Sequence, residues 1–229
     1  DTAVMLKGEA VWNMTVMFLH MWAVIGRSEE SVDYEAYFPH RYHEEEFESD
    51  GFVQPFCDTP LDEEVVGEDV YLINKAKRYV YITTPYLIVD NEMVTALSTA
   101  AKSGVDVRIM TPGIPDKKLV FILTQSYYRR LLEAGVKIYW YQKGINHSKV
   151  IIVDGSVASV GTANMDLRSF EQNFEVSLII YDREVVKKLA VDFMKDLKVS
   201  TEGAIQRWKF RTKREKVCES VARLFAPVL

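Results

Sequence analysis

The stretch Asn146-His-Ser-Lys-Val-Ile-Ile-Val-Asp154 carries two side chains suited to phosphate chemistry. His147 and Lys149 are two residues apart on a β-rich run, so they project from one face. Ile151 and Val153 continue that face, which puts the pair at the polar end of a buried row. A neutral imidazole can attack phosphorus or carry a proton, and a fixed ammonium beside it holds the phosphoryl oxygens. Further on, Gly161-Thr-Ala-Asn-Met-Asp166 reads as a strand-to-loop turn of small and polar residues. Asn164 there can donate hydrogen bonds to a phosphate oxygen. Asn173 and Glu175 then open another strand. A carboxylate bonded to one ring nitrogen fixes a histidine tautomer and leaves the other nitrogen reactive, and Glu175 is the natural candidate for His147. Asp154 falls on the opposite strand face and is expected to be structural, organising a hairpin or a salt bridge.

The elements that must position these groups are legible as periods. Asp69–Lys77 reads as a short helix and Tyr79–Thr84 as a strand ending at Pro85. Asp90 can cap a helix that Gly104 stops, and Asp116 a longer helix that Gly135 stops. Val105–Thr111 and Val136–Tyr141 are strands between and after them. This βαβαβ order predicts parallel strands with right-handed crossovers. Then the period changes. Lys149–Val153 and Val157–Val160 are strands joined by Asp154-Gly155, a strong hairpin signal. Phe174–Tyr181 is a further strand, followed by a helical stripe of Val185, Leu189, Phe193 and Leu197. The expected fold class is α/β, a sandwich with a mixed, largely parallel-cored sheet flanked by helices.

Composition bounds the rest. A chain of 229 residues buries enough surface to hold a core without disulfide or metal. With 48% hydrophobic and 27% charged residues it is neither disordered nor a polytopic membrane protein. Cys57 and Cys218 form no CxxC or zinc spacing and read as reduced thiols. The net charge of −5 hides an asymmetry: Arg27 to Asp69 holds 15 acidic against 2 basic residues. The cluster Glu44–Asp50 reads as a solvated linker, and His40 and His43 beside it show no recurring ligand spacing. Ala10–Gly26 is uncharged, with Val11, Met14, Phe18, Met21 and Ile25 at helical spacing. It reads as a buried amphipathic helix rather than a membrane span, with His20 a core or boundary residue. Near the C-terminus, Trp208 and Phe210 alternate with Arg207, Lys209 and Arg211, a surface that would suit anionic headgroups. The chain opens without Met in what reads as the middle of an element, as a piece of a longer protein would.

Taken together, HxKxxxxD, then GTANMD, then RSFxxNFE form a specific pattern. The chain resembles the phospholipase D superfamily, whose signature is the HKD motif, and within it the C-terminal half of the bacterial cardiolipin synthases. The resembling stretches include Tyr81–Tyr86, Ser103–Arg108, Leu132–Ile138, Ala158–Asp166, Arg168–Phe170 and Ala222–Leu229, with Asp1–Val4 and the helix after it similar to the tail of that family's first half. The resemblance implies that residues 1–50 are the tail of a missing first catalytic half plus an acidic linker. Residues 51–229 would be the catalytic domain.

It also implies roles. His147 would be one of two active-site histidines, Lys149 and Asn164 would bind phosphate, Glu175 would hydrogen-bond His147, and Thr162 would line the pocket. The family uses two such motifs around one pseudo-twofold site, and this chain has one. His20, His40 and His43 are followed two residues on by Trp22, Tyr42 and Glu45. Either a first half is missing or two copies pair, and the missing half is the favoured reading. The implied reaction joins two phosphatidylglycerols and releases glycerol through a phosphohistidine. His147 would be its acid/base partner, with the nucleophile's role left open. The competing readings are a homodimeric phosphodiesterase or nuclease, or a phospholipase, with a single HKD motif per chain, and a lipid-binding module without turnover. Acidity argues against a nucleic acid partner. Implied partners are phosphatidylglycerol or another anionic phospholipid, the membrane surface, and the missing half or a second copy. No metal or cofactor is implied, since Lys and Asn neutralise the charge. The implied location is the cytoplasmic side of the inner membrane, with no transmembrane segment in this chain.

Overall fold

The computed structural model describes residues 1–26, 33–38, 41, 51–58, 64–224 and 226. The acidic cluster Glu44–Asp50, with His40 and His43, lies outside them. Helix α1 (Ala10–Gly26) follows the uncharged run. Its predicted stripe is only partly covered: Val11, Met14 and Met21 are half-buried, but Phe18 and Ile25 are exposed, as is Trp22 beside them. A one-sided pattern shows that a face favours burial, and here the described residues leave much of that face open. His20 is exposed, with its ring edge-on to Tyr34, rather than in the core or at its boundary. Among the described residues no helix is long and apolar enough to cross a membrane.

Strand β1 (Val53–Asp58) lies inside the acidic run that reads as a connector. Helix α2 (Glu64–Lys75) leads into β2 (Tyr79–Thr83) and the short β3 (Leu87–Ile88). Helix α3 (Asn91–Lys102) is capped by Asp90, whose carboxylate accepts from the Met93 N–H at 2.7 Å. Strand β4 (Asp106–Pro112), helix α4 (Lys118–Glu133) and β5 (Lys137–Tyr141) complete two crossovers, so that β2, β4 and β5 are parallel. Asp116 does not cap α4. Lys117 holds that position without a side-chain bond, and Asp116 accepts the Tyr86 hydroxyl at 2.7 Å.

Strands β6 (Val150–Val153) and β7 (Val157–Gly161) form the expected antiparallel hairpin. Asp154 and Gly155 both take positive φ in its turn, the geometry that Asp-Gly favours. After β8 (Met165–Asp166) and α5 (Leu167–Glu171) comes β9 (Glu175–Ile180), then α6 (Arg183–Leu197), β10 (Ser200–Glu202), α7 (Ile205–Lys209) and α8 (Lys213–Arg223). The eight-stranded order is β1-β9-β7-β6-β2-β4-β5-β10, a parallel segment extended on both sides by antiparallel strands. Period-2 alternation splits the core. Val80, Ile82, Val107, Ile109, Ile151 and Val153 face one side, packed with α3 and α4 residues such as Leu97 and Leu131. Val150, Ile152, Ala158 and Val160 face the other, under Val186 and Phe193 of α6.

Two side chains differ from the sequence expectation of a C-terminal headgroup surface. Trp208 is 2% exposed, edge-on to Tyr128 and Trp140. Arg211 stacks on Trp208 and ion-pairs with Glu219. The reason is geometric: α7 is a helix, so Trp208 turns inward instead of alternating with basic neighbours. The side chains of Arg207 and Lys209 lie outside the described ones.

Asp154 closes the far end of the hairpin. Its carboxylate accepts from the backbone N–H groups of Lys77, Arg78 and Tyr79 at 2.8, 2.8 and 2.9 Å. These bonds hold its pKa below the ordinary carboxylate range despite the opposing effect of burial. Replacing Asp154 by Ala should lower stability by about 2 kcal/mol at pH 7, the loss of charge-assisted bonds at a solvent-exposed turn. A depressed carboxylate stabilises above its unfolded pKa and loses that contribution as pH falls through the folded one. The gap between wild type and variant in urea melts should therefore narrow as pH falls below the ordinary carboxylate value of 3.8. A gap that persists there would contradict this role.

Candidate active site

His147 and Lys149 lie on an extended segment just before β6, rather than inside the strand as their spacing predicts. This places them near the carboxyl end of β2, since Val150 opposes Thr83. Such strand ends are where open α/β sheets bind ligands. The His147 side chain is 47% exposed. The Lys149 ammonium sits 2.7 Å from His147 Nδ1 and donates to the His147 carbonyl at 2.7 Å. An ammonium only donates, so the nitrogen it meets must present a lone pair. The same ammonium lies 3.3 Å from Nε2, so it faces both ring nitrogens. Asp1 Oδ1 lies 3.4 Å from Nδ1, and the Tyr86 ring stands edge-on to the imidazole.

Burial, then the neighbouring Lys149, push the His147 pKa below its ordinary value, against the pull of Asp116. Burial also lowers Lys149, and the carboxylates of Glu175 and Asp166 oppose that shift. Imidazole NMR should therefore show His147 titrating below pH 6.5. Replacing Lys149 by Met should raise its midpoint, because a like charge is removed. A midpoint at or above 6.5, insensitive to Lys149, would contradict this electrostatic picture.

The segment itself is held by its neighbours. Asn146 Oδ1 accepts from the Ser148 N–H at 3.1 Å, and its amide reaches Asp196 on α6 at 3.4 Å. Thr2 donates to the Ser148 hydroxyl at 3.0 Å. Gly161 ends β7 against Ser177 of β9 so closely that a Cβ would lie 2.2 Å from Ser177 Oγ. That approach delivers Thr162 to Glu175.

The buried Glu175 carboxylate accepts from Thr162 Oγ1 at 2.5 Å and from Asn173 Nδ2 at 3.0 Å, rather than from His147. Among the described residues, then, Glu175 faces the histidine site through Lys149 and not through a ring nitrogen. Asn164 stands at the start of β8, its N–H donating to Ser169 Oγ and its Oδ1 buried without a partner. Asp166 caps α5 through the Ser169 N–H at 2.7 Å, and burial raises its pKa. Asp154 belongs to the opposite end of β6, away from the imidazole.

Behind Lys149, Thr84, Ser159, Ser177 and Asp69 line a cavity of about 10 Å³. That is room for one water at most, too little for a phosphoryl group. Substrate space must therefore lie on the open side of His147. Sequence reasoning passed over three residues here: Tyr86, Asp116 and Asn146. Their available signal is position, since Tyr86 and Asp116 follow the ends of β2 and β4, where parallel strands present ligand-binding groups.

The architecture matches solved structures of the phospholipase D fold. A phospholipase D family member, Nuc from Salmonella typhimurium, superposes with a TM-score of 0.58 at 19% identity, covering 67% of this chain and 99% of its own. Phosphatidylserine synthase from Haemophilus influenzae superposes with a TM-score of 0.65 at 16% identity, covering 78% of this chain and 48% of its own. At these identities the likeness concerns the fold alone. Residues 70–197 match the sequence family described as cardiolipin synthase, PLD-like domain, and the chain belongs to that family. A cardiolipin synthase from Geobacillus is 42% identical over 232 residues, covering all of this chain and 45% of its own length. The chain thus spans about half the length of the curated relatives it matches.

Proposed function

We propose that this chain is the C-terminal catalytic half of a phosphatidyltransferase that joins two phosphatidylglycerols into cardiolipin and releases glycerol. The supporting observation is the His147–Lys149 pair, half-exposed to solvent, in a sequence that carries only one HKD motif. In-line displacement places the attacking and departing groups on opposite sides of phosphorus, so one imidazole cannot serve both.

In the first step a histidine of the preceding half attacks phosphorus. The N–P bond forms, the bond to the glycerol oxygen breaks, and the His147 imidazolium gives that oxygen its proton. In the second step neutral His147 takes the proton from a glycerol hydroxyl of another phosphatidylglycerol. That oxygen attacks phosphorus and the N–P bond breaks. The resting His147 is neutral, and the negative charge of a bound phosphodiester favours the imidazolium that the first step needs. Lys149 and Asn164 hold the non-bridging oxygens. Glu175, fixed by Thr162 and Asn173, is the counter-charge that keeps Lys149 protonated against burial. The domain works at the cytoplasmic face of the inner membrane, where its substrate lies.

The test supplies the preceding half. The chain alone and the chain mixed with that half are incubated with phosphatidylglycerol vesicles, and cardiolipin and glycerol are measured by mass spectrometry. Equimolar products only from the mixture are expected. Product from the chain alone would show that two copies complete the site. No product from either would overturn the transferase reading.

A further inference from the structure

A groove of about 740 Å³ lies between α6 and the first residues of β2. One wall carries two stacked rings, Tyr79 on Tyr81 at 4.4 Å, and Tyr81 is backed by the buried Phe193 at 4.9 Å. Opposite, Arg183, Lys187, Val191, Met194 and Lys198 recur at helical spacing along one side of the α6 region. Val191 and Met194 are exposed apolar side chains. Among the described residues Arg183, Lys187 and Lys198 form no ion pair, whereas Lys195 is held by Asp192 at 2.7 Å. Glu184 is the one carboxylate in the lining.

The groove is separate from the candidate active site. It opens beside Tyr79 and Gly155, at the hairpin end of β2, while His147 and Lys149 stand beyond Thr83 at the other end. Five strand residues put roughly 13 Å between those ends. Its volume falls in the range of small-molecule sites.

Unpaired cations spaced over about 22 Å of helix, with a water-exposed apolar middle, define an unusual complement. A nucleic acid would use the cations and leave the apolar middle unused. An apolar peptide would do the reverse. An anionic phospholipid satisfies both. We propose that this groove is a second, non-catalytic site for an anionic phospholipid of the membrane surface. Its phosphate meets Arg183 and Lys187, and an acyl segment lies on Val191, Met194 and the tyrosine rings. Lys198 faces a neighbouring headgroup. The site takes over the membrane contact that the sequence pattern assigned to Trp208 and its basic neighbours, and it does not depend on turnover at His147.

The experiment is cosedimentation of the full chain with vesicles of phosphatidylglycerol and phosphatidylcholine, against phosphatidylcholine alone. Lys187→Gln with Lys198→Gln should weaken retention about thirtyfold, from about fivefold for each lysine lost at an anionic surface. Lys213→Gln with Lys216→Gln makes the same change in net charge on exposed α8 and should stay within twofold of wild type. Val191→Ser with Met194→Ser changes no charge and should weaken retention several-fold. His147→Ala should bind like wild type, so a failed transferase reading leaves this result standing. Equal effects from the two lysine pairs, or no retention of wild type on phosphatidylglycerol, would overturn the proposal. So would a lysine-dependent change in sedimentation coefficient without lipid, which would mean that a second copy covers the groove.

Discussion

Replacing His147 by Ala in the assembled two-half enzyme should lower glycerol release at least a thousandfold while leaving the fold intact. The expected size follows from its double duty. A positioned acid or base is worth roughly 10²–10⁴-fold in one step, and His147 serves both the departure of the first glycerol and the activation of the second. The intact fold follows from its surroundings. The side chain is half-exposed, and its bonded contacts are Lys149 and Asp1 rather than core groups. Thermal melts of variant and wild type should coincide within about 1 °C. Lys149→Ala is expected to act differently, raising KM as well as lowering kcat, because its ammonium meets phosphate oxygens in both ground and transition states. Activity of His147→Ala within tenfold of wild type would remove His147 from the chemistry.

Replacing Trp208 by Ala should cost about 4 kcal/mol and lower Tm by about 10 °C, without a specific effect on vesicle binding. The side chain is almost wholly buried, sits edge-on to Tyr128 at 5.3 Å between centroids, and is covered by the Arg211 guanidinium at 4.0 Å. Tyr128 is itself fully enclosed, its pKa pushed up to about 12 by burial. Truncation therefore opens a cavity between rings that cannot collapse freely. Trp208→Phe should cost far less, since Trp208 Nε1 is buried without a partner and its removal relieves that loss. Unchanged stability in Trp208→Ala with weakened binding to anionic vesicles would instead restore the headgroup surface that the sequence pattern implies.

The parallel segment was legible because its strands are buried apolar runs bounded by Pro, Gly and Asp, and Asp90 does cap α3. The edges were not. Strand β1 carries Pro55 within an acidic run, and among the described residues it pairs only with β9, at the edge where a missing N–H costs little. Strand β10 is three polar residues, too few to show a period. On α1, hydropathy marked a face that favours burial, but among the described residues Phe18, Trp22 and Ile25 are left exposed. At the site, the two-residue spacing of His147 and Lys149 carried their juxtaposition. The partners of Glu175 could not be read, because they depend on the β7–β9 register that sets Gly161 against Ser177 and brings Thr162 within reach. Trp208 was misread since basic and aromatic residues alternate in sequence, whereas α7 turns that one ring into the core.

The most direct measurement maps the covalent intermediate. The two halves are mixed with phosphatidylglycerol, quenched in alkali during turnover, and digested for mass spectrometry of phosphohistidine-bearing peptides. The expected result is a phosphatidyl adduct on a histidine of the preceding half and none on residues 1–229, consistent with a resting His147 held neutral beside Lys149 for proton transfer. An adduct on His147, or turnover with no histidine adduct on either half, would contradict it.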